Sequence, residues 1–217
     1  MSVSNPPLPD VVIVDTGCAN ITSVYCAISR LYQQAGQPVQ VSVSADPASI
    51  RAASRVIIPG VGTASQAMQN IHSKDLAPVL QQLSQPVLGI CLGMQLLTTH
   101  SSEGDVACLG VVPATVSRLQ ANGQRLPHMG WNTLDLPATV HPLLDGISAR
   151  DYVYFVHSFA VQPGPYLLAG CHYGSDFAAV IGKDNFLGMQ YHPERSGKTG
   201  ARMLLNFLTK TPAELRA

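Results

Sequence analysis

"VLGICLGMQLL", residues 87–97, sets a cysteine between two glycines where an apolar run gives way to a stretch that reads as helix. The form is G-x-C-x-G, a nucleophile elbow with cysteine in the place usually held by serine. Glycines two residues to either side leave room for a sharp strand-to-helix turn that lifts Cys91 above a sheet edge. Working outward, "VVIVD" (11–15) is a β-branched run of the kind a parallel sheet buries on both faces. From Asn20 to about residue 34 apolar residues recur at helical spacing, with Asn20 placed to cap the first turn. "VQVSVS" (39–44), "RVIIPG" (55–60) and "PVLGI" (86–90) repeat the strand signal, and "APVLQQL" (77–83) falls within a helix. Strands alternating with helices imply a mostly parallel sheet flanked by helices, an α/β architecture.

After about residue 105 the texture changes. "GVVPATVSRL", "LPHMGWNTL", "YVYFVHSFAV" and "LLAGCHY" are strand-like, without a convincing helix between them. They predict an antiparallel extension of the sheet. "FAAVIGKDNFLGMQYH" (177–192) reads as a hairpin around "GKDN", and Ala201, Leu204, Leu205 and Leu208 mark a closing amphipathic helix. Residues 1–9 are expected to form a Pro-rich tail, 10–210 one domain and 211–217 a C-terminal tail.

Composition excludes several classes. Lys+Arg and Asp+Glu number 13 each and charged residues are only 12%, so there is no electrostatic footprint for nucleic acid or an acidic membrane surface. The five cysteines are odd in number and contain no C-x-x-C pair, which argues against a disulfide framework or a zinc site and fits the cytoplasm. No signal segment or membrane span is expected from the apolar runs. Neither a metal nor a cofactor is expected.

A thiolate at Cys91 would be favoured by the amides and dipole of the helix that starts there, with the Leu92 N–H available to a developing oxyanion. A structural cysteine is the bland alternative. "QYHPER" (190–195) supplies the proton shuttle: His192 and Glu194 are two residues apart at a strand end, so the carboxylate can orient the imidazole. "IIPGVGT" (57–63) is a Gly-rich loop at a strand's C-terminal end, where Gly60, Val61 or Gly62 can present a second oxyanion donor; a plain tight turn is the alternative.

Together these elements resemble the class I (triad) glutamine amidotransferase family. Six blocks in order, "DTGCANITSV", "PGVGTA", "LGICLGMQLL", "PHMGWN", "YFVHS" and "QYHPERSG", are similar to the glutaminase subunits of imidazole glycerol phosphate synthases, from Val11 to about Leu208. The resemblance implies a flavodoxin-like fold and a Cys91–His192–Glu194 triad that hydrolyses L-glutamine through a glutamyl thioester. It also implies ammonia channelling to a (βα)8-barrel cyclase subunit in a heterodimer, with allosteric activation by that partner. The cyclase product pair would be imidazole glycerol phosphate and the purine precursor AICAR, in histidine biosynthesis. By the same resemblance Gln95, His157 and Ser158 hold the substrate's amino-acid end, although His157 on an apolar strand also reads as a satisfied core histidine. Asn20, Trp131, Tyr154 and Arg195 match positions at the subunit contact. Arg195 stands where the family more often has Lys, and Phe159 where Tyr is common. The competing readings are the glutaminase of another synthase, a free-standing γ-glutamyl hydrolase, and a non-catalytic module of the same fold.

Overall fold

The structure is a computed structural model that describes residues 7–17 and 20–217. The elements run β1 (Val11–Val14), α1 (Ile21–Gln34), β2 (Val41–Ser44), α2 (Pro47–Ala52), β3 (Arg55–Gly60), α3 (Ala64–Ser73), α4 (Ala77–Gln81), β4 (Val87–Cys91) and α5 (Leu92–Leu96) in the first half. The second half adds β5 (His100–Ser101), β6 (Val106–Ala107), β7 (Thr115–Arg118), β8 (His128–Thr133), β9 (Tyr152–His157), β10 (Phe159–Val161), β11 (Leu167–Tyr173), β12 (Ser175–Lys183), β13 (Phe186–Met189) and α6 (Gly197–Thr209).

Eleven strands form one sheet in the order β2-β1-β3-β4-β13-β12-β10-β7-β5-β6, with β11 also paired to β12. From β2 to β13 every pairing is parallel; β12 is antiparallel to β13, and β10 and β7 continue antiparallel. The alternation of the β-strand sorts the core. Val11 and Ile13 join Ile28, Tyr32 and Phe207 in a cluster on the α1 and α6 side, whereas Val12 and Val14 join Met68, Ile71 and Leu80 on the other. Burial on both faces is why these strands carry no polar alternation.

α1 begins where Asn20 accepts a hydrogen bond from the Ser23 amide, and Thr63 caps α3 by accepting from the Gln66 amide. The hairpin expected at "GKDN" joins β12 to β13 through Asp184, whose φ of 53° gives the tight reversal.

Three expectations needed adjustment. "PHMGWN" and "YFVHS" do not extend the main sheet; β8 and β9 pair with each other as a separate antiparallel ribbon. Its outward face leaves Met129, Trp131 and Tyr152 more than half exposed, while its inward face buries His128, Val153, Phe155 and His157. Residues 211–217 pack onto the fold instead of trailing from it: Leu215 is fully buried, and Ala217 and Asp184 exchange backbone hydrogen bonds of 2.9 and 2.8 Å. Leu8 is buried too and its amide donates to Gln37; residues 1–6 of the expected N-terminal tail lie outside the described residues. No helix among the described residues is long and apolar enough to cross a membrane.

Candidate active site

The site lies at the carboxyl ends of β3, β4 and β13, where an open α/β sheet leaves room for ligands. The register makes Gly60 and Cys91 neighbours across β3 and β4, and pairs Met189 with Ile90, so that Gln190 leaves β13 beside the cysteine. Cys91 has φ 54° and ψ −111°, a left-handed conformation that costs a non-glycine residue on the order of 1–3 kcal/mol. Close packing holds it there. A Cβ on Gly93 would come 1.8 Å from the Ile58 carbonyl oxygen, and one on Gly89 would come 2.6 Å from the Gly93 oxygen. The glycines expected from the elbow pattern are therefore demanded by backbone contact. The helix that follows is only five residues long, so its first amides matter more than any macrodipole.

Cys91 is 7% exposed, and its Sγ lies 3.9 Å from Gln190 Nε2 and 4.0 Å from the Val156 carbonyl. His192 Nδ1 donates to Glu194 Oε1 at 2.8 Å, with both side chains buried. The pair stands on a turn, Pro193–Arg195, that Ser196 ties to β9: its hydroxyl donates to the His192 carbonyl and accepts from the Tyr154 amide. His192 Nε2 is buried without a well-formed hydrogen bond, so this nitrogen is open to the sulfur and to a bound molecule. Burial opposes a cation on His192, but the nearby Cys91 and Glu194 outweigh it and push the pKa up to about 10.

A cavity of about 210 Å³ opens onto the sulfur, smaller than the ~300–1,000 Å³ typical of drug-sized pockets and suited to a single amino acid. Of the expected residues, Val61, Gly62, Cys91, Leu92, Gln95, His157, Ser158 and His192 line it together. Gly60 sits beneath it in β3, and Glu194 lies behind His192. Gly62 has φ 95° with open space where a Cβ would stand, and Val61 is 40% exposed, so the loop is unconfined on its outer side.

The roles expected of Gln95 and His157 narrow. Gln95 Nε2 donates to the Phe159 carbonyl and to Gln190 Oε1, each at 2.9 Å, leaving Oε1 for a ligand. His157 has both ring nitrogens engaged, Nδ1 with the Phe159 carbonyl at 2.9 Å and Nε2 with His128 Nδ1 at 3.1 Å. It serves the cavity as a wall, in keeping with the satisfied-histidine reading. Three contributors escaped the sequence analysis: Gln190, Glu103 and His128. Glu103 lines the cavity and accepts from the Ala64 amide, and burial raises its pKa. The acid of "SSEG" carried no spacing signal, while Gln190 was hidden in the apolar run before His192.

Of the residues expected at a subunit contact, Trp131 is 55% exposed and its ring meets Tyr154 edge-on at 5.7 Å. Tyr154 accepts the His192 amide through its carbonyl, and exposed Arg195 follows Glu194. Asn20 is exposed at the start of α1.

A buried thiol, an imidazole held by a carboxylate and the amides at a strand end meet at one cavity. Residues 15–211 match the family Glutamine amidotransferase class-I. The imidazole glycerol phosphate synthase subunit HisH of Idiomarina loihiensis is 54% identical over 202 residues, covering 93% of this chain and 98% of that protein. The chain belongs to the class I glutamine amidotransferase family, among the HisH subunits. The HisH subunit of Vibrio cholerae is 49% identical over 205 residues, spanning 92% of this chain and 98% of the relative. Solved structures share the class I fold at low identity. A crystal structure titled glutamine amidotransferase superposes with a TM-score of 0.68 at 18% identity, covering 91% of this chain and 96% of that one. A glutamine amidotransferase from Thermotoga maritima gives 0.54 at 16% identity, over 95% and 88%.

Proposed function

We propose that this class I amidotransferase is the glutaminase subunit of a cytoplasmic imidazole glycerol phosphate synthase, working through Cys91, His192 and Glu194. The observation that carries the reading is the strained Cys91 above the same cavity as His192, with the imidazole held by the buried Glu194. The Cys91 thiolate attacks the carboxamide carbon of L-glutamine. The oxyanion that forms is met by the Leu92 amide and by an amide of the Gly60–Val61–Gly62 loop, each donor worth about 3 kcal/mol. His192 Nε2 gives its proton to the departing nitrogen, the C–N bond breaks, and ammonia leaves a γ-glutamyl thioester. Water, deprotonated by His192, then breaks the C–S bond and releases glutamate. Gln190 Nε2 is placed to donate to the resting sulfur, and Glu103 supplies a negative charge for the substrate's α-ammonium. Gln95 Oε1 and the Ser158 segment complete the hold on the amino-acid end.

Ammonia released here has value only if it reaches its acceptor. The ribbon face bearing Trp131 and Tyr154, with Arg195 and Asn20, is proposed as the contact with a (βα)8-barrel cyclase subunit that consumes it. Aromatic and arginine side chains are common anchors at such contacts. Arg195 keeps the cation expected there, with guanidinium in place of ammonium geometry. The freedom of Gly62 fits a loop that gains its second oxyanion donor when the partner is loaded with its nucleotide.

The test is Cys91→Ala in the assembled complex. Glutamine-dependent synthesis falls by at least ~10³-fold, while synthesis from added ammonium salts persists. Loss of both activities in an intact complex refutes the division of labour. Glutamate release by the isolated chain as fast as in the loaded complex would instead favour a free-standing hydrolase.

A further inference from the structure

The inward face of the β8–β9 ribbon carries two histidines that the chemistry above does not use. His128 is 3% exposed and His157 is 6% exposed, and the ribbon's register places them directly opposite one another. Their hydrogen bonds allow one arrangement of protons. The Phe159 carbonyl can only accept, so His157 Nδ1 carries the hydrogen. A neutral His157 then accepts at Nε2, so His128 Nδ1 is the donor across the 3.1 Å contact. His128 Nε2 in turn accepts from the Asn132 amide at 3.4 Å, and that amide also reaches the His172 carbonyl at 3.0 Å. Burial lowers the pKa of His128 to about 4 and, with the neighbouring His128 and His192 also opposing a cation, that of His157 to about 3, which keeps both neutral.

Packing fixes the donor as firmly as the bonds do. The His128 ring is stacked between Phe155 and Tyr173, with centroids 4.7 and 4.0 Å away. At the far end, the Phe159 carbonyl that holds His157 also receives Gln95, and Gln95 holds Gln190, which donates to the Cys91 sulfur. We propose that His128, which lines no part of the cavity, is a positioning residue for glutamine hydrolysis: it locks the orientation of His157, whose tautomer the Phe159 carbonyl sets, and thereby the cavity wall formed by His157, Phe159 and Gln95. This role rests on the glutaminase reading and deepens it. Met129 and Trp131, one and three residues beyond His128, face outward on the same strand, so the clamp also fixes the ribbon to the pocket.

The experiment measures glutamine hydrolysis in the full complex together with ring-nitrogen NMR of His157. His128→Phe keeps an aromatic ring for the stack and removes the donor. It raises KM for glutamine about tenfold with kcat changed less, the size expected when one buried acceptor loses its partner. In the NMR spectrum His157 stays protonated at Nδ1, and its Nε2 resonance moves to that of an acceptor without a donor. His128→Asn, whose side-chain amide stands where Nδ1 stood, restores KM to within about twofold. His157→Asn, which keeps a donor toward Phe159 but lacks Nε2, gives the same rise, and adding His128→Phe to it causes no further loss. Either single variant carries the test should the other fail to fold. An unchanged KM in a folded His128→Phe, or an additive loss in the double variant, overturns the inference while the glutaminase reading stands. An unsubstituted complex that does not hydrolyse glutamine overturns both.

Discussion

β3 and β4 bring Gly60, Cys91 and Leu92 together and contribute mostly backbone: a strained cysteine, amides and a close-packed elbow. Across β13 the antiparallel half contributes side chains: three imidazoles, a carboxylate, and a ribbon whose outer face is bare. The first half tolerates no displacement, because an added methyl meets backbone at 1.8 Å. The second is held by hydrogen bonds that can be exchanged one at a time. Backbone-built parts of a site are accordingly expected to fail all at once, and side-chain-built parts by degrees.

The sharpest way to break that contrast is Gly93→Ala. Its Cβ would overlap the Ile58 carbonyl, so the elbow shifts or the domain unfolds, with stability lower by ~3 kcal/mol or more in urea denaturation. A soluble, fully active Gly93→Ala would remove the distinction. His192→Ala comes next: it leaves the fold intact and lowers glutamine turnover by ~10³-fold, because it removes the proton shuttle. Glu194→Gln removes orientation and charge only, and a loss of ~10–100-fold is expected in the same assay; equal losses for the two would contradict their division of roles.

The pH dependence of stability separates the three imidazoles. His128 and His157 have folded pKa values below the unfolded value of 6.5, so their contribution is complete above about pH 6.5 and is lost as pH falls through about 4 and then 3. His192 is the reverse: its contribution is complete below about 6.5 and is lost as pH rises through about 10. Unfolding free energies measured at about pH 5, 6.5 and 9 should show an acid limb flattened by His128→Phe and an alkaline limb flattened by His192→Ala. The smallest effect belongs to Trp131→Ala. With its ring 55% exposed, this change leaves the isolated chain's stability within about 0.5 kcal/mol, while titration calorimetry with the cyclase subunit shows a clear loss of affinity.

The legibility of the sequence follows the same division. The elbow, the Gly-rich strand end and the β-α alternation are local patterns, and local backbone demands dictate residue type at fixed offsets. His192 and Glu194 were readable as an H-x-E pair after a strand, although what brings them together is the Pro193–Arg195 turn and not the extended strand end the spacing suggested. The partnership of β8 with β9 was not: 29 residues separate His128 from His157, and strand-like runs do not say which sheet they join. Gln190 was hidden because one amide in an apolar run signals nothing until β13 is known to lie beside β4. Leu215 was hidden by its short, polar surroundings.

The place of β13 has a consequence for synthesis on the ribosome. Residues 186–189 insert between β4 and β12, so the edge of the parallel half stays open until most of the chain has emerged. Until then β4 presents an unpaired apolar edge, and Cys91 has neither base nor carboxylate near it. That edge is therefore covered, and the proposed triad assembled, only late in translation.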